Sequence, residues 1–326
     1  MNQRLRLAAA LSLLALSACG GATSGDAADD KLQIAVVPKG TTHEFWKSVH
    51  AGAEAAARDL GVEVIWKGPI REDDRAEQIQ IVENFVVRGV DGIVLMPMDR
   101  KALVTPAEEA GGQGIPVVVA DSDLDWEGRT SFVATDNRRG GELAGEALVE
   151  MMEGKGSVIL LRYQEGSAST FEREEGFLAA VGKAAGIEVI SSNQYAGATN
   201  EGAYQASENL LNSFKDVDGI FCPNESAAFG MLRALQDSGR TDDVAFVGFD
   251  ASEKLVEALR AGEIDALVLQ DPVRMGELSV RACVAAARGE AVEPRIDTGV
   301  VVVPSASIDD PSVQALLKPD LSILDE

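Results

Sequence analysis

Composition and charge set the first limits on what this chain can be. Its 326 residues include 29 Lys and Arg against 53 Asp and Glu, which gives a formal net charge of −24 at pH 7. Such a surface repels the phosphate backbone of nucleic acids and also anionic lipid, so neither is expected as a direct partner. The length exceeds the usual size of a single hydrophobic core and predicts two domains.

The first residues have the pattern of an export signal. Two arginines precede an apolar run at residues 7–16, which is too short to span a bilayer. The Leu-Ser-Ala-Cys motif that ends at Cys19 resembles a bacterial lipobox. That resemblance implies that residues 1–18 are removed as a signal peptide and that Cys19 is lipidated, the alternative being an ordinary signal peptide with an incidental cysteine. Residues 19–30 are small, polar and acidic, and are predicted to be a flexible tether.

From residue 31 onward, short apolar runs alternate with longer amphipathic ones, as in βαβ units around a parallel sheet. The first half has predicted strands at residues 32–37, 62–66, 92–96, 116–120 and 131–134. Its predicted helices lie at residues 44–59, 74–88 and 102–110. The second half has predicted strands at residues 157–161, 188–191, 219–222, 245–247 and 266–269. Its predicted helices lie near residues 170–185, 200–214, 226–238 and 252–261. The pattern therefore predicts an α/β fold of two doubly wound parallel-sheet units.

Two cysteines remain after Cys19, and neither has a catalytic pattern around it. Cys222 ends an apolar strand-like run, and Cys283 lies in an alanine-rich helical run. Two cysteines are too few for a disulfide framework. The sequence favours two buried free thiols over a bridge.

The residues that follow the predicted strands are mostly aromatic or able to form hydrogen bonds. In open α/β sheets a ligand binds beyond the carboxyl ends of the strands, so these positions are the place to look for a site. In the first half the strands are followed by His43-Glu44-Phe45-Trp46, Asp121-Ser122-Asp123 and Thr135-Asp136-Asn137. In the second half they are followed by Tyr163-Gln164-Glu165, Asn224-Glu225, Phe249-Asp250 and Gln270-Asp271. Two such edges facing each other predict a polar cleft with aromatic walls.

The ordered set of motifs resembles the ribose-type periplasmic binding proteins over roughly residues 32–304. The matching segments are Phe45-Trp46, residues 116–121, Thr135 to Gly141, Glu172 to Phe177, Asn224-Glu225, Val247 to Asp250, and Gln270. The resemblance implies a type I periplasmic binding protein fold, in which two lobes joined by three crossings close on a sugar. Such proteins deliver the sugar to an ABC permease. This chain is accordingly expected to be a monomer that binds a monosaccharide or related polyol, outside the cytoplasm or at the cell surface, and that reaches the membrane only through the lipid on Cys19.

The resemblance also implies a set of site residues, carried over by position. Phe45, Trp46 and Phe249 would pack on the C–H faces of a sugar ring, while carboxylates and amides would bind its hydroxyls. Relatives often have an asparagine at the position of His43 and arginines at those of Ser122 and Phe171, so this pocket is expected to be less cationic than one for ribose. Arg173 is expected to support its helix. The candidate ligand-binding residues are His43, Phe45, Trp46, Asp121, Ser122, Thr135, Phe171, Asn224, Phe249, Asp250 and Gln270.

The same resemblance implies the domain limits. The N-terminal lobe would comprise residues 31–135 and 271–298, and the C-terminal lobe residues 136–270 and 299–305. Residues 306–326 would form a C-terminal tail.

Competing interpretations have less support in the sequence. Asp121 and Asp136 could serve as an acid/base pair for glycoside cleavage, but a ligand acceptor and a helix cap are favoured instead. His43-Glu44 begins like a zinc-protease motif, yet Lys47 stands where the second histidine ligand belongs, so no metal or cofactor is expected. The charge runs at residues 71–75 and 172–175 are predicted to be solvated helix faces or caps. A binding protein is therefore expected rather than an enzyme, with a sugar-sensing receptor as the open alternative.

Overall fold

The structure is a computed structural model that describes residues 31–325, and in this range the chain folds into two α/β lobes. The predicted signal peptide, tether and lipidated Cys19 lie outside the described residues. The first lobe has a parallel sheet with the strand order β11-β5-β4-β3-β1-β2. Its strands are β1 (Gln33–Val37), β2 (Glu63–Trp66), β3 (Gly92–Leu95), β4 (Val117–Ala120), β5 (Ser131–Ala134) and β11 (Arg295–Asp297).

The second lobe repeats this plan with the order β12-β10-β9-β8-β6-β7. Its sheet is parallel except for β12, which pairs antiparallel with β10. Its strands are β6 (Lys155–Arg162), β7 (Gly186–Tyr195), β8 (Gly219–Phe221), β9 (Ala245–Phe249), β10 (Ala266–Gln270) and β12 (Val300–Pro304). The two doubly wound sheets confirm the predicted fold class.

Helices cover both faces of each sheet, because central strands such as β4 and β10 are buried throughout and need apolar cover on both sides. The helices of the first lobe are α1 (Glu44–Leu60), α2 (Arg75–Arg88), α3 (Val104–Gly112) and α9 (Pro272–Ala287). Those of the second lobe are α4 (Asn137–Met151), α5 (Ala168–Val181), α6 (Asn200–Ser213), α7 (Glu225–Ser238) and α8 (Glu253–Ala261). A short helix, α10 (Gln314–Leu317), follows in the tail.

The chain passes between the two sheets three times. It leaves β5 for α4, which packs on β8, β9, β10 and β12. It returns after β10 into α9, which packs on α1 and on β3, β4 and β5. It crosses a third time between β11 and β12. Hydrogen bonds from Thr135 at the first crossing to Gln270 and Thr298 bring the three crossings side by side.

Two details complete the fold. Cys222 and Cys283 are both buried and free, as the sequence predicts. Between residues 31 and 325 no helix has both the length and the apolar character needed to cross a membrane.

Candidate functional site

A small cavity lies between the lobes, at the carboxyl ends of both sets of strands. Most of its walls are polar or charged, and several aromatic rings interrupt them. The lining residues are Lys39, His43, Phe45, Trp46, Glu72, Asp121, Tyr163, Ser169, Thr170, Arg173, Asn224, Glu225, Asp250 and Gln270. Seven of the residues predicted from the sequence are brought together here, namely His43, Phe45, Trp46, Asp121, Asn224, Asp250 and Gln270.

The aromatic wall comes from the beginning of α1. His43 is the N-cap residue of this helix, and Phe45 and Trp46 follow in its first turn. The Phe45 and Trp46 rings meet edge to face, with centroids 4.8 Å apart and planes at 83°. Because the helix starts directly after the loop that follows β1, both rings are held at the cleft.

Two aspartates occupy equivalent positions in the two lobes. Asp121 follows β4 and Asp250 follows β9, and both have left-handed backbone conformations, with φ of 60° and 73°. Aspartate tolerates this conformation better than most residues do. The turn that each one makes presents its carboxylate at the end of its sheet instead of continuing the strand.

Lys39 neutralises the charge of Asp121. Its Nζ lies 2.6 Å from Asp121 Oδ2 and donates hydrogen bonds to Ser122 Oγ at 2.6 Å and Ser169 Oγ at 3.1 Å. Ser169 belongs to α5 of the second lobe. The lysine therefore neutralises a buried carboxylate and joins the two lobes.

Asp250 is held entirely by second-lobe groups. Gln270 Nε2 donates to its Oδ1 at 2.7 Å, the backbone N–H of Glu225 donates to its Oδ2 at 3.1 Å, and Arg173 Nη1 lies 3.9 Å away. Burial raises the pKa of Asp250, and the positive charge of Arg173 opposes that rise. Gln270 in turn accepts from Thr135 Oγ1 at 2.9 Å, so a chain of hydrogen bonds runs from this carboxylate to the first crossing.

Arg173 has a different place from the one the sequence suggests. It is buried and lines the cavity, with Nε donating to Asn137 Oδ1 at 2.8 Å and Nη1 donating to the carbonyl of Pro223 at 2.9 Å. Its guanidinium lies over the Phe249 ring, 3.9 Å from the ring centroid. The expectation that Arg173 only supports its helix is therefore wrong.

Four of the predicted site residues do not line the cavity. Phe249 is fully buried and Arg173 lies between its ring and the cleft, so this ring is a support for the guanidinium. Ser122 is buried behind the wall, where it bonds Lys39 and Ser169. Thr135 lies at the first crossing and bonds Gln270 and Thr298. Phe171 is 43% exposed on α5 and is not among the lining residues.

The two charge runs are also not simply solvated. Glu72, in the first run, is only 6% exposed and lines the cavity. In the second run, Arg173 and Glu174 are both buried, and Glu174 accepts a hydrogen bond from Arg162 Nη1 at 2.6 Å. The prediction of solvated faces holds for the exposed Arg71 and for Glu172, but not for these three side chains.

Glu72 collects three hydrogen bonds. Trp46 Nε1 donates to its Oε1 at 2.6 Å, His43 Nδ1 lies 2.6 Å from the same oxygen, and the Tyr163 hydroxyl donates to Oε2. Burial alone would raise the pKa of Glu72, but the charges of His43 and Lys39 and the hydrogen bonds from His43 and Tyr163 lower it to about 2. Burial alone would likewise lower the pKa of His43, but Glu72, Glu225 and Asp250 raise it to about 9. The pair is therefore a carboxylate and an imidazolium at neutral pH.

Glu225 joins the lobes at the far side of the cavity. It lies in the first turn of α7, and its carboxylate accepts from the backbone N–H groups of Glu44 at 3.3 Å and Phe45 at 3.1 Å. Burial raises the pKa of Glu225 to about 7, against the opposing charge of His43. Glu44 in turn accepts from the backbone N–H of Glu253, at the start of α8, at 2.9 Å. Each lobe thus caps a helix of the other.

Several lining residues could be found only with difficulty from the sequence. Lys39 stands two residues beyond β1 in a loop with no distinctive pattern, and Glu72 sits within a run of charges that usually marks solvent-exposed surface. Tyr163 and Glu225 do follow strands, which is the one signal that pointed to them. No sequence pattern marks Thr170 as a site residue, yet its Oγ1 is buried and has no hydrogen-bond partner within residues 31–325.

The cavity can recognise a small hydroxylated molecule by hydrogen bonds and aromatic packing. It offers carboxylate acceptors, cationic donors and one unpartnered hydroxyl, beside the aromatic rings of Phe45 and Trp46. In the part of the chain that the structure describes, no group of three His, Cys, Asp or Glu side chains could hold a metal ion. Asp136, the second carboxylate of the glycosidase alternative, caps α4 by accepting from the backbone N–H of Arg139 at 3.0 Å.

Comparison with known proteins gives a consistent result. The ribose import binding protein of Escherichia coli (strain K12) is 31% identical over 304 residues, covering 93% of this chain and 99% of that protein. A carbohydrate transporter solute-binding protein from Agrobacterium radiobacter, solved in complex with D-arabinose, superposes with a TM-score of 0.86 at 33% identity and covers 88% of this chain and 99% of that one. An ABC transporter solute-binding protein from Agrobacterium vitis with bound D-fucose gives a TM-score of 0.85 at 34% identity, covering 88% and 100%.

These relatives are transport proteins that bind their substrate, which confirms the prediction of a binding protein rather than an enzyme and of an extracytoplasmic one. The family model described as the periplasmic binding protein domain matches residues 34–291, most of the chain. This protein belongs to the periplasmic binding protein domain family.

Proposed function

We propose that this protein captures a monosaccharide or related polyol between its lobes by hinge closure and delivers it to an ABC importer. The observation that carries the proposal is the cavity between the lobes, to which the carboxyl ends of both sheets contribute hydrogen-bonding side chains. The domain limits predicted above place the hinge at the three crossings. Each hydroxyl of a bound sugar would exchange water for a preoriented partner, and an unmatched hydroxyl would cost about 1 to 3 kcal/mol.

The charge of the cavity supports a neutral ligand. Lys39 pairs with Asp121, His43 with Glu72, and Arg173 lies near Asp250. The charges of the walls are therefore largely balanced inside the protein, and a ligand of high charge would meet no complementary excess. Sugars without a charged group fit this balance, as do the D-arabinose and D-fucose bound by the two solved relatives.

Calorimetric titration with a panel of sugars tests the proposal. The panel comprises D-ribose, D-arabinose, D-fucose, D-allose and myo-inositol, with a charged sugar phosphate as the negative control. We expect at least one neutral member to bind tightly and reversibly, and to be recovered chemically unchanged. Conversion of the sugar would support the enzyme alternative, and absence of any binding to a broader set of pentoses, hexoses and polyols would remove the sugar assignment.

Variants of the two aspartates test the location of the site. Asn tolerates the left-handed conformation that both positions require, so Asp121→Asn and Asp250→Asn should fold. Each removes a charged acceptor from the cavity and should weaken sugar binding by about tenfold or more. Asp136→Asn is the matched control, because this residue caps α4 outside the cavity and Asn is an equally good cap. Unchanged affinity in both cavity variants would contradict the assignment.

We further propose that the protein is a lipoprotein anchored through Cys19, which lies outside the described residues. The lipobox resemblance supports this step. Cys19→Ser should move the protein from the membrane fraction to the soluble extracytoplasmic fraction and abolish incorporation of a labelled fatty acid. Incorporation of the label into the Cys19→Ser variant would contradict the anchor.

Transport and sensing require different partner proteins. A transport protein requires a permease and ATPase, whereas a receptor requires a membrane signalling protein. Deletion of the gene should abolish uptake of the radiolabelled sugar at low concentration if the protein serves transport. Normal uptake with loss of a sugar-induced response would favour the receptor.

A further inference from the structure

Glu72 forms hydrogen bonds with three other residues that line the cavity. It is buried, and both of its carboxylate oxygens already accept from the protein: Oε1 from Trp46 and His43, and Oε2 from Tyr163. Little of its hydrogen-bonding capacity remains for a ligand. The three donors, by contrast, all line the cavity themselves.

We propose that Glu72 is the positioning residue of this site, which holds His43 as a protonated donor toward the sugar and couples it to lobe closure through Tyr163. The inference rests on the proposed function for the class of ligand. The His43–Glu72 pair lies within the first lobe, so its protonation state can be tested without any ligand.

Geometry fixes the role of His43. With Nδ1 2.6 Å from Glu72 Oε1, the proton on Nδ1 is held by a carboxylate, and protonation of Nε2 makes the ring a donor at both nitrogens. Such a ring can only donate, so it selects a ligand oxygen that accepts at this position.

Charged groups face His43 from several elements. Three carboxylates favour the imidazolium, namely Glu72 from the loop before α2, Glu225 from α7 and Asp250 after β9, and they raise the pKa of His43 to about 9 despite its burial. Further charged residues line the larger open pocket on the outer side of His43: Glu44, Lys47, Arg71, Glu201 and Lys254. Of all these charges, those of the three buried carboxylates raise the pKa of the ring.

Tyr163 makes the hydrogen bonding of Glu72 depend on lobe closure. It follows β6 in the second lobe, and its hydroxyl reaches Glu72 in the first. Burial raises the pKa of Tyr163 well above its ordinary range, so it stays a donor. Glu72 is therefore fully satisfied only when the lobes are together. The neighbouring bond from Gln164 Nε2 to the Glu72 carbonyl, at 3.1 Å, joins the same segments.

The first test is an NMR titration of the histidine rings. The chain has two histidines, His43 and His50, so two ring signals report all of its histidines. We expect the His43 signal of the wild-type protein without ligand to titrate well above the ordinary imidazole value of about 6.5, and that of Glu72→Gln to titrate lower than wild type, because the amide can no longer supply the negative charge. Glu54→Gln is the matched control, since Glu54 pairs with His50 at 3.2 Å; it should leave the His43 signal unchanged. A wild-type His43 that titrates near pH 6.5 would overturn the proposal.

The second test measures affinity by calorimetry at pH 5.5 and pH 8.0, with the sugar of the panel that binds wild type most tightly. We expect Glu72→Gln to bind about tenfold more weakly than wild type at pH 8.0, where its His43 has lost the proton, and to approach wild type at pH 5.5. Groups that do not face His43 titrate alike in both proteins, so their contribution cancels in the ratio of the two dissociation constants. An equal ratio at both pH values would reduce Glu72 to a packing residue and overturn the proposal.

A third variant separates the link to closure from the charge of His43. Tyr163→Phe removes only the hydroxyl, so it should leave the His43 titration unchanged in the unliganded protein and weaken sugar binding about tenfold. Wild-type affinity in Tyr163→Phe would overturn the coupling. Should no sugar bind the wild-type protein, the proposed function fails, while the histidine titration still decides the state of the His43–Glu72 pair.

Discussion

Trp46 forms much of the aromatic wall of the cavity, and Phe171 lies on the exposed side of α5. Replacing each by leucine compares an aromatic residue that lines the cavity with one that does not. Trp46→Leu should weaken sugar binding by about tenfold, because an aliphatic side chain loses the ring face that packs on sugar C–H groups. Phe171→Leu should bind within about twofold of wild type. Calorimetry measures both, and a large loss in Phe171→Leu would show that this ring folds over the ligand.

Some residues of the site could be predicted from sequence patterns, and others could not. Position after a strand was enough to indicate Asp121, Asp250 and Gln270, because parallel strands bring their carboxyl ends to one edge. The same rule also pointed to Phe249, but an arginine from another helix covers its ring. Glu72 looks solvated in sequence, and its burial depends on donors that come from α1 and from the second lobe. Such contacts join segments far apart in the chain, and no local pattern encodes them.

At the scale of elements, pairs of glycines allow helices to approach closely in both lobes. A Cβ atom at Gly141 of α4 would lie 1.8 Å from the carbonyl oxygen of Arg173, and one at Gly176 of α5 would lie 2.1 Å from that of Arg138. In the first lobe, Gly52 of α1 and Gly276 of α9 have the same relation to each other's helix, with distances of 1.9 and 2.0 Å. The α4–α5 contact thereby fixes the backbone that carries Arg173.

Gly141→Ala tests this contact. The added methyl group collides with backbone, which cannot move aside as a flexible side chain can, so we expect a loss of about 1 to 3 kcal/mol of unfolding free energy and a displaced Arg173 with weaker sugar binding. Gly112→Ala in α3 is the control, because a Cβ there meets nothing within 4 Å and alanine favours the helix. Chemical denaturation measures both. Equal stability of the two variants would contradict the close packing.

The elements themselves were largely predictable, since strong apolar runs marked the central strands of both sheets. Errors lie where tertiary contacts override local preference. Residues 111 and 112 have the glycines of a turn but continue α3, and a Cβ at Gly111 would lie 3.3 Å from Trp126. The predicted strand at residues 188–191 extends to the whole of β7, an edge strand with polar residues whose pairing with β6 shifts register twice. No strand is predicted at β11 or at β12. β11 has three residues and pairs with the distant β5, so it has little local signal, whereas β12 is an apolar run that the sequence prediction missed.

At the scale of the whole molecule, helix ends of one lobe are capped by acidic residues of the other. Glu225 of the second lobe accepts from the start of α1, and Glu44 of the first lobe accepts from the start of α8. The first N–H groups of a helix have no partner within the helix, and a side-chain oxygen of the other lobe accepts from them here, so each contact favours the arrangement in which the lobes touch. Separation of the lobes removes both contacts at once.

Glu44→Ala should therefore weaken sugar binding by about two- to fivefold without removing any group that lines the cavity, because it disfavours closure. Glu253→Ala is the matched control. It also removes an acidic side chain from the first turn of a helix, but it keeps the backbone N–H that donates a hydrogen bond to Glu44. Calorimetry gives the affinities, and small-angle scattering gives the size of the unliganded protein. Equal affinities for the two variants would show that the contact contributes nothing to closure.

Glu225 gives closure a pH dependence with a defined sign. Burial between the lobes raises its pKa to about 7, whereas an exposed glutamate in the open molecule has a value near 4.5. The closed form therefore binds the Glu225 proton more tightly, and the stabilisation that this proton supplies is complete below about pH 4.5 and is lost as the pH rises through about 7. Wild-type sugar affinity should fall by about tenfold or more between pH 5 and pH 8. Glu225→Gln has no proton to lose and should give a flatter profile, with tighter binding than wild type at pH 8. Affinity that increases with pH in the wild type would mean that the ionised carboxylate, held by the N-terminus of α1, outweighs its loss of hydration.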